Sequence, residues 1–174
     1  MDKRSDHPIQ LSIISTCKSQ QIRLLFNAWQ AIKQNGIESE LIWLGQSDDE
    51  QLQMYPDLRI VRLSHRSNRN GCWQAGLHMA RSSQLLLISR FTPTLSRRTC
   101  DKIARLLAHP QSSGSKLAHP RQWLAGLAVL HGHYQLAMQL LPMCLIDYDA
   151  LIDARNHMPK HWYQRFNGYD LSSV

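Results

Sequence analysis

Short β-branched apolar runs alternate with amphipathic helical segments through the first half of this chain, and that alternation restricts the possible folds more than any other feature. Leu11-Ser12-Ile13-Ile14-Ser15-Thr16 is apolar and ends in polar residues, which predicts a buried first strand. From about Ser19 to Gln34 the apolar positions Ile22, Leu25, Phe26, Trp29 and Ile32 recur at intervals of three and four, the spacing of one helix face. Asn35-Gly36 supplies the stop, because glycine takes the left-handed cap conformation readily. Further strands are predicted from Glu40 to Leu44, Leu58 to Leu63 and Leu85 to Ile88, with a helix from about Cys72 to Arg81 before the last. Repeated strand–helix–strand order predicts an α/β fold with a mainly parallel central sheet and flanking helices. Right-handed crossovers then put the loops after each strand on one edge, where such sheets bind ligands.

The second half is less regular. A helix is predicted from about Ser96 to Leu107, with Ile103, Leu106 and Leu107 as its apolar face. His109-Pro110-Gln111-Ser112-Ser113-Gly114-Ser115 is turn-rich and reads as a surface loop. Between Gln122 and Leu141 periodicity does not separate helix from strand; Gly126, Gly132 and the nearby histidines weigh against one long helix, and two shorter elements fit at least as well. Met143 to Ile146 reads as a strand and Asp149 to Ala154 as a short helix. At 174 residues the chain fits one domain, 1–174, with a single core.

An apolar fraction of 43% and a charged fraction of 19% are those of a globular protein. No run approaches the roughly 20 apolar residues of a spanning helix, and the polar start is unlike a secretory signal. The expected location is therefore cytoplasmic, either free or peripheral to the inner membrane face. Cys17, Cys72, Cys100 and Cys144 are scattered singly and read as small buried apolar residues, with no disulfide or zinc pattern. A net charge of +7 suits an anionic partner, whether a nucleotide diphosphate or a membrane face. Nucleic acid is not the expected partner, because no recognition motif or basic helix accompanies the charge. His131-Gly132-His133 and the pair His157 and His161 invite a zinc reading; Pro159 breaks the regular turn between the second pair, and no metal site is expected. Ser47-Asp48-Asp49-Glu50 reads as a helix start with carboxylates in the first turn.

Four segments resemble, in pattern, the inverting family-two glycosyltransferases of the GT-A fold. Leu11 to Lys18 looks like the family's opening strand and loop, and Leu41-Ile42-Trp43-Leu44-Gly45-Gln46-Ser47-Asp48-Asp49 like its second strand. Asn70-Gly71-Cys72-Trp73-Gln74-Ala75-Gly76-Leu77-His78-Met79-Ala80 is similar to the Gly-x-x-x-Ala-x-Asn-x-Gly-Leu-x-x-Ala helix, with Gln74 for asparagine. Pro142 to Leu151 resembles the acceptor-side strand leading into a short helix. The resemblance implies a nucleotide-sugar half over 1–95, a variable connection over 96–141 and a truncated acceptor-side half over 142–174. It also implies a nucleotide-sugar ligand, with Ser15, Thr16, Gln46, Arg69, Trp73, Gln74 and Arg90 as binding candidates and Asp170 or Asp147 as catalytic base.

The departures fall on the chemistry. Where the family places Asp-x-Asp to hold a divalent cation, this chain has Ser89-Arg90-Phe91, and none of these is a good ligand for a hard cation. Gly45 or Gln46 stands where the family has its base-reading aspartate. Two readings follow. In one, Arg90, with Arg66 or Arg69, neutralises the diphosphate leaving group without metal or other cofactor, and the sugar passes to a hydroxyl acceptor in polysaccharide or glycoconjugate synthesis. In the other, the domain is catalytically inactive and serves as a binding or partner protein, for example beside an active glycosyltransferase.

Overall fold

The computed structural model describes residues 8–45, 52, 54–55, 57–62, 68–89, 97–108, 120–141, 143–157 and 167–169. The first apolar run forms β1 (Leu11–Ser15), buried at every position. A short 3-10 turn then leads into α1 (Ile22–Gln34), whose stripe Ile22, Leu25, Ala28, Trp29 and Ile32 is buried as the spacing predicts. Gly36 follows with φ +80°, the left-handed conformation expected of the stop. The chain continues through β2 (Ser39–Gly45), β3 (Arg59–Arg62), α2 (Arg69–Met79) and β4 (Gln84–Ile88). After β4 come α3 (Arg97–Ala108), α4 (Pro120–Leu130), α5 (Tyr134–Leu140), β5 (Met143–Asp147), α6 (Tyr148–His157) and β6 (Asn167–Tyr169). The stretch that periodicity left undecided is thus two helices joined by a short turn.

Among the described residues six strands form one sheet in the order β3-β2-β1-β4-β5-β6. The pairs β1–β2, β1–β4 and β2–β3 are parallel, while β4–β5 and β5–β6 are antiparallel. The expected parallel sheet holds for β1 to β4. It does not extend to β5 and β6, because α5 returns the chain to the edge where β4 ends and β5 must run back.

Helices cover both faces. Leu11, Ile13, Leu41, Trp43, Leu86 and Ile88 point to one side, where α1 and α3 pack through Leu25, Trp29, Ile32, Cys100 and Ile103. Ile14, Ile42, Leu44, Leu85 and Leu87 point to the other, against Trp73 and Leu77 of α2 and the inner faces of α4, α5 and α6. This is a three-layer α/β arrangement in which alternate residues of each central strand feed separate cores. Because β1 to β4 are parallel, Ser15, Gly45, Arg62 and Ile88 all end on one edge, the carboxyl edge. All four cysteines are free and buried, as expected of small apolar residues.

Candidate functional site

The carboxyl edge is built from the exits of the four parallel strands. After β1 the Thr16 amide donates to the Ile88 carbonyl at 3.2 Å, which continues the ladder one residue and holds Thr16 half-buried at the rim. Ser15 is wholly buried, and its Oγ accepts from the Cys17 amide at 3.2 Å, so it shapes the turn from inside the fold. At the β2 exit the Trp43 Nε1 donates to the Cys17 carbonyl at 2.8 Å, tying the β1 turn to the neighbouring strand. The Trp43 ring lies directly over Gly45, in the space that any Cβ at position 45 would need. Glycine at this strand end is therefore required by the indole packed against it.

Cations stand at these exits. Lys18 is exposed just past β1, Arg62 is exposed as the last residue of β3, and Arg69 is exposed as the first residue of α2. α2 starts at this edge because it follows β3. Asn68 caps it, its Oδ1 accepting from the Gly71 amide at 2.6 Å. The remaining first-turn amides add the positive end of the helix dipole beside Arg69. Asn70 Oδ1 accepts from the Gln135 amide at 2.9 Å, which fixes the start of α2 against α5. Ser89, half-buried at the β4 exit, donates from Oγ to the Met138 carbonyl at 3.2 Å. Burial pushes the Cys17 and Cys72 thiols above the ordinary cysteine value, so neither offers a thiolate to this edge.

The other sequence candidates divide sharply. Gln74 is exposed on α2 and Trp73 is entirely buried; the Trp73 Nε1 has no hydrogen-bond partner, and the ring is a core element of the α2 face. Asp147 is not a base for this edge. It ends antiparallel β5 and pairs with Gln84 at the start of β4, which places it about 13 Å of strand away from the Ile88 exit. There its Oδ1 accepts from the Ala150 amide at 3.0 Å and caps α6. Gln46, Arg66, Arg90, Phe91, the acidic run at 48–50, His161 and Asp170 lie outside the described residues. Tyr169, which precedes Asp170, pairs with Met143 opposite Ile88, on the carboxyl edge.

Among the described residues no group of three His, Cys, Asp or Glu side chains gathers to hold a metal ion. The chemistry this edge offers is fixed positive charge and backbone amides. Lys18 and Arg62 were not among the binding candidates read from the sequence, although each closes or follows a predicted parallel strand, and that position marks a residue of the candidate edge. The opposite edge carries an open cavity of about 540 Å³ lined by Gln10, Ile37, Arg81, Ser82 and Leu107.

No protein-family model and no curated protein matches this chain. The glycosyltransferase resemblance rests on the chain's own sequence pattern.

Proposed function

We propose that this protein is a GT-A-like domain that binds the diphosphate of a nucleotide sugar through cationic side chains, without a metal ion and without transferring the sugar. It then acts as a binding or partner protein in polysaccharide or glycoconjugate synthesis. The observation that carries the reading is the set of exposed cations Lys18, Arg62 and Arg69 that the parallel strands and α2 bring to the carboxyl edge. A diphosphate brought to such an edge meets arginine forks and the amides of the α2 first turn, which together replace the charge a divalent ion supplies. Asp147 lies at the far edge and caps α6, which supports binding without transfer.

The second reading keeps transfer and rests on Asp170, the residue after Tyr169. In that reaction the acceptor oxygen attacks the anomeric carbon, its proton passes to the Asp170 carboxylate, and the bond to the diphosphate breaks with the negative charge leaving on the nucleotide.

Thermal unfolding with uridine, guanosine and thymidine diphosphates and their sugars, with and without manganese, tests both. A ligand at a hundred times its Kd stabilises the native state by about 2.7 kcal/mol. The expected result is a rise with one nucleotide that manganese does not change and that Arg69→Ala weakens about tenfold or more. No rise with any nucleotide overturns the binding reading. Acceptor-dependent release of nucleoside diphosphate, abolished by Asp170→Asn, decides for transfer.

A further inference from the structure

We infer that the α4–α5 hairpin is a membrane-contact surface that seats on an anionic lipid bilayer. Residues 122–141 contain no Asp, Glu, Lys or Arg. They fold into two helices that pack along each other about the turn at 131–133, where the His133 amide donates to the Ala128 carbonyl at 2.7 Å. The inner faces are already used. Ala125, Ala128 and Val129 of α4, with Tyr134, Ala137 and Met138 of α5, fill the core beneath them.

The outer faces expose large apolar side chains as well, beside uncharged Gln139. Trp123, Leu124 and Leu136 are 41%, 46% and 50% exposed, and Leu127 of α4 is half-buried. Leu124 and Leu127 are three apart on α4 and share one side of that helix, while Leu136 is the exposed leucine of α5. A helix that is apolar on both sides has a second partner to bury against. α6 beside the hairpin exposes Ile152 but carries Asp149 and Asp153 around it, which confines the contact to α4 and α5.

Charge selects the partner. A second copy brings another +7 toward this one, whereas an anionic bilayer attracts it. Exposed Arg121 lies in the first turn of α4, two residues ahead of Trp123. Tryptophan beside leucine, edged by Arg121, suits the interface between headgroups and acyl chains, where an indole buries its ring and keeps its N–H near water. No described helix is long and apolar enough to cross a membrane, so the hairpin lies in the plane of the interface. This inference is independent of the ligand at the carboxyl edge.

Sedimentation with phosphatidylcholine vesicles, with and without phosphatidylglycerol, tests it on the full chain. The protein is expected to pellet with the anionic vesicles only and to be released by high salt. Combined Trp123→Ser, Leu124→Ser and Leu136→Ser should lower partitioning about tenfold or more, with the far-ultraviolet circular dichroism retained. Should that variant misfold, Trp123→Phe gives a milder test: brominated lipid quenches native tryptophan fluorescence, and the variant loses that quenching while still binding. Failure to bind anionic vesicles, or binding and quenching unchanged by the substitutions, overturns the inference. Concentration-dependent self-association that the serine variant abolishes assigns the surface to a second copy and overturns it equally.

Discussion

Glu40 is the residue on which the amino edge of the sheet converges. It is only 6% exposed, and it accepts from Ser12 Oγ at 2.7 Å, from the Arg81 amide at 2.7 Å and from Arg59 Nη1 at 2.6 Å. Arg59 also donates to the Met79 carbonyl at 2.9 Å, and the Ser82 amide donates to Ser12 Oγ at 3.0 Å, so β1, β2, β3 and the α2–β4 connection meet at one carboxylate. None of this was legible in the sequence, where Glu40 reads as the polar start of an apolar strand. Its partners are distant along the chain and come together only through strand order. Removing one member of a buried ion pair leaves the other without a counter-charge, at a cost of about 3–5 kcal/mol. The Arg59 side chain is 28% exposed and can rehydrate, which favours the lower figure. Glu40→Ala is therefore expected to lower unfolding stability by about 3 kcal/mol in urea. The double variant with Arg59→Ala should lose less than the sum of the two single losses. Simple additivity would show that the pair carries no coupling.

Elements were legible where one face alone is apolar. α1 announced itself because its buried stripe stands out from polar residues on the other side, and the parallel strands because they are short and buried throughout. α4 and α5 were ambiguous for a physical reason: Trp123, Leu124 and Leu136 face outward while Ala125, Val129 and Ala137 face inward, so the pattern lacks a polar side to set its period. The direction of β5 was equally hidden, since nothing in an apolar strand records which way it runs. What fastens the hairpin is also invisible along the chain. Arg155 of α6 donates from Nε to the Leu130 carbonyl at 2.9 Å, and from Nη2 to the Val129 carbonyl at 3.2 Å and the Tyr134 hydroxyl at 2.9 Å. It thereby caps the carboxyl end of α4 and ties it to the first residue of α5. Arg155→Met keeps much of the stem and removes the donors. The expected loss is on the order of 1 kcal/mol, because these bonds compete with water at an exposed side chain. Native-state hydrogen exchange should show faster exchange in the 131–134 turn and unchanged protection in β1 and β4. Equal loss of protection everywhere would mean that Arg155 supports the whole fold instead.

At the scale of the molecule, the candidate edge was legible because parallel strands bring their exits together, while the assignment of a base to that edge was not. Asp147 ends β5 at the edge opposite the parallel-strand exits, a fact fixed by an antiparallel pairing that local sequence does not encode. The two cores also share a chemical signature that reaches the stability of the entire protein. Burial pushes up the thiols of Cys17 and Cys100 on one face of the sheet and that of Cys144 on the other, Cys144 most strongly. Burial likewise raises the Tyr134 phenol, partly opposed by the Arg155 charge beside it. Each folded-state value lies above the ordinary one, 9.0 for a thiol and 10.0 for a phenol, so the folded protein holds these protons more tightly than the unfolded chain. The resulting stabilisation is complete below the unfolded values and is lost as pH rises through the folded ones. Stability is therefore expected to be level from neutral pH to just under 9 and to fall above it, first through the thiols and then through the phenol. Urea midpoints measured across that range check the prediction. Cys144→Ala should flatten the alkaline fall as it removes the most deeply buried of these protons, even though it lowers the neutral plateau by leaving a small cavity. An alkaline limb as steep in that variant as in the native protein would mean that Cys144 contributes little and that the loss comes through Cys17, Cys100 and Tyr134.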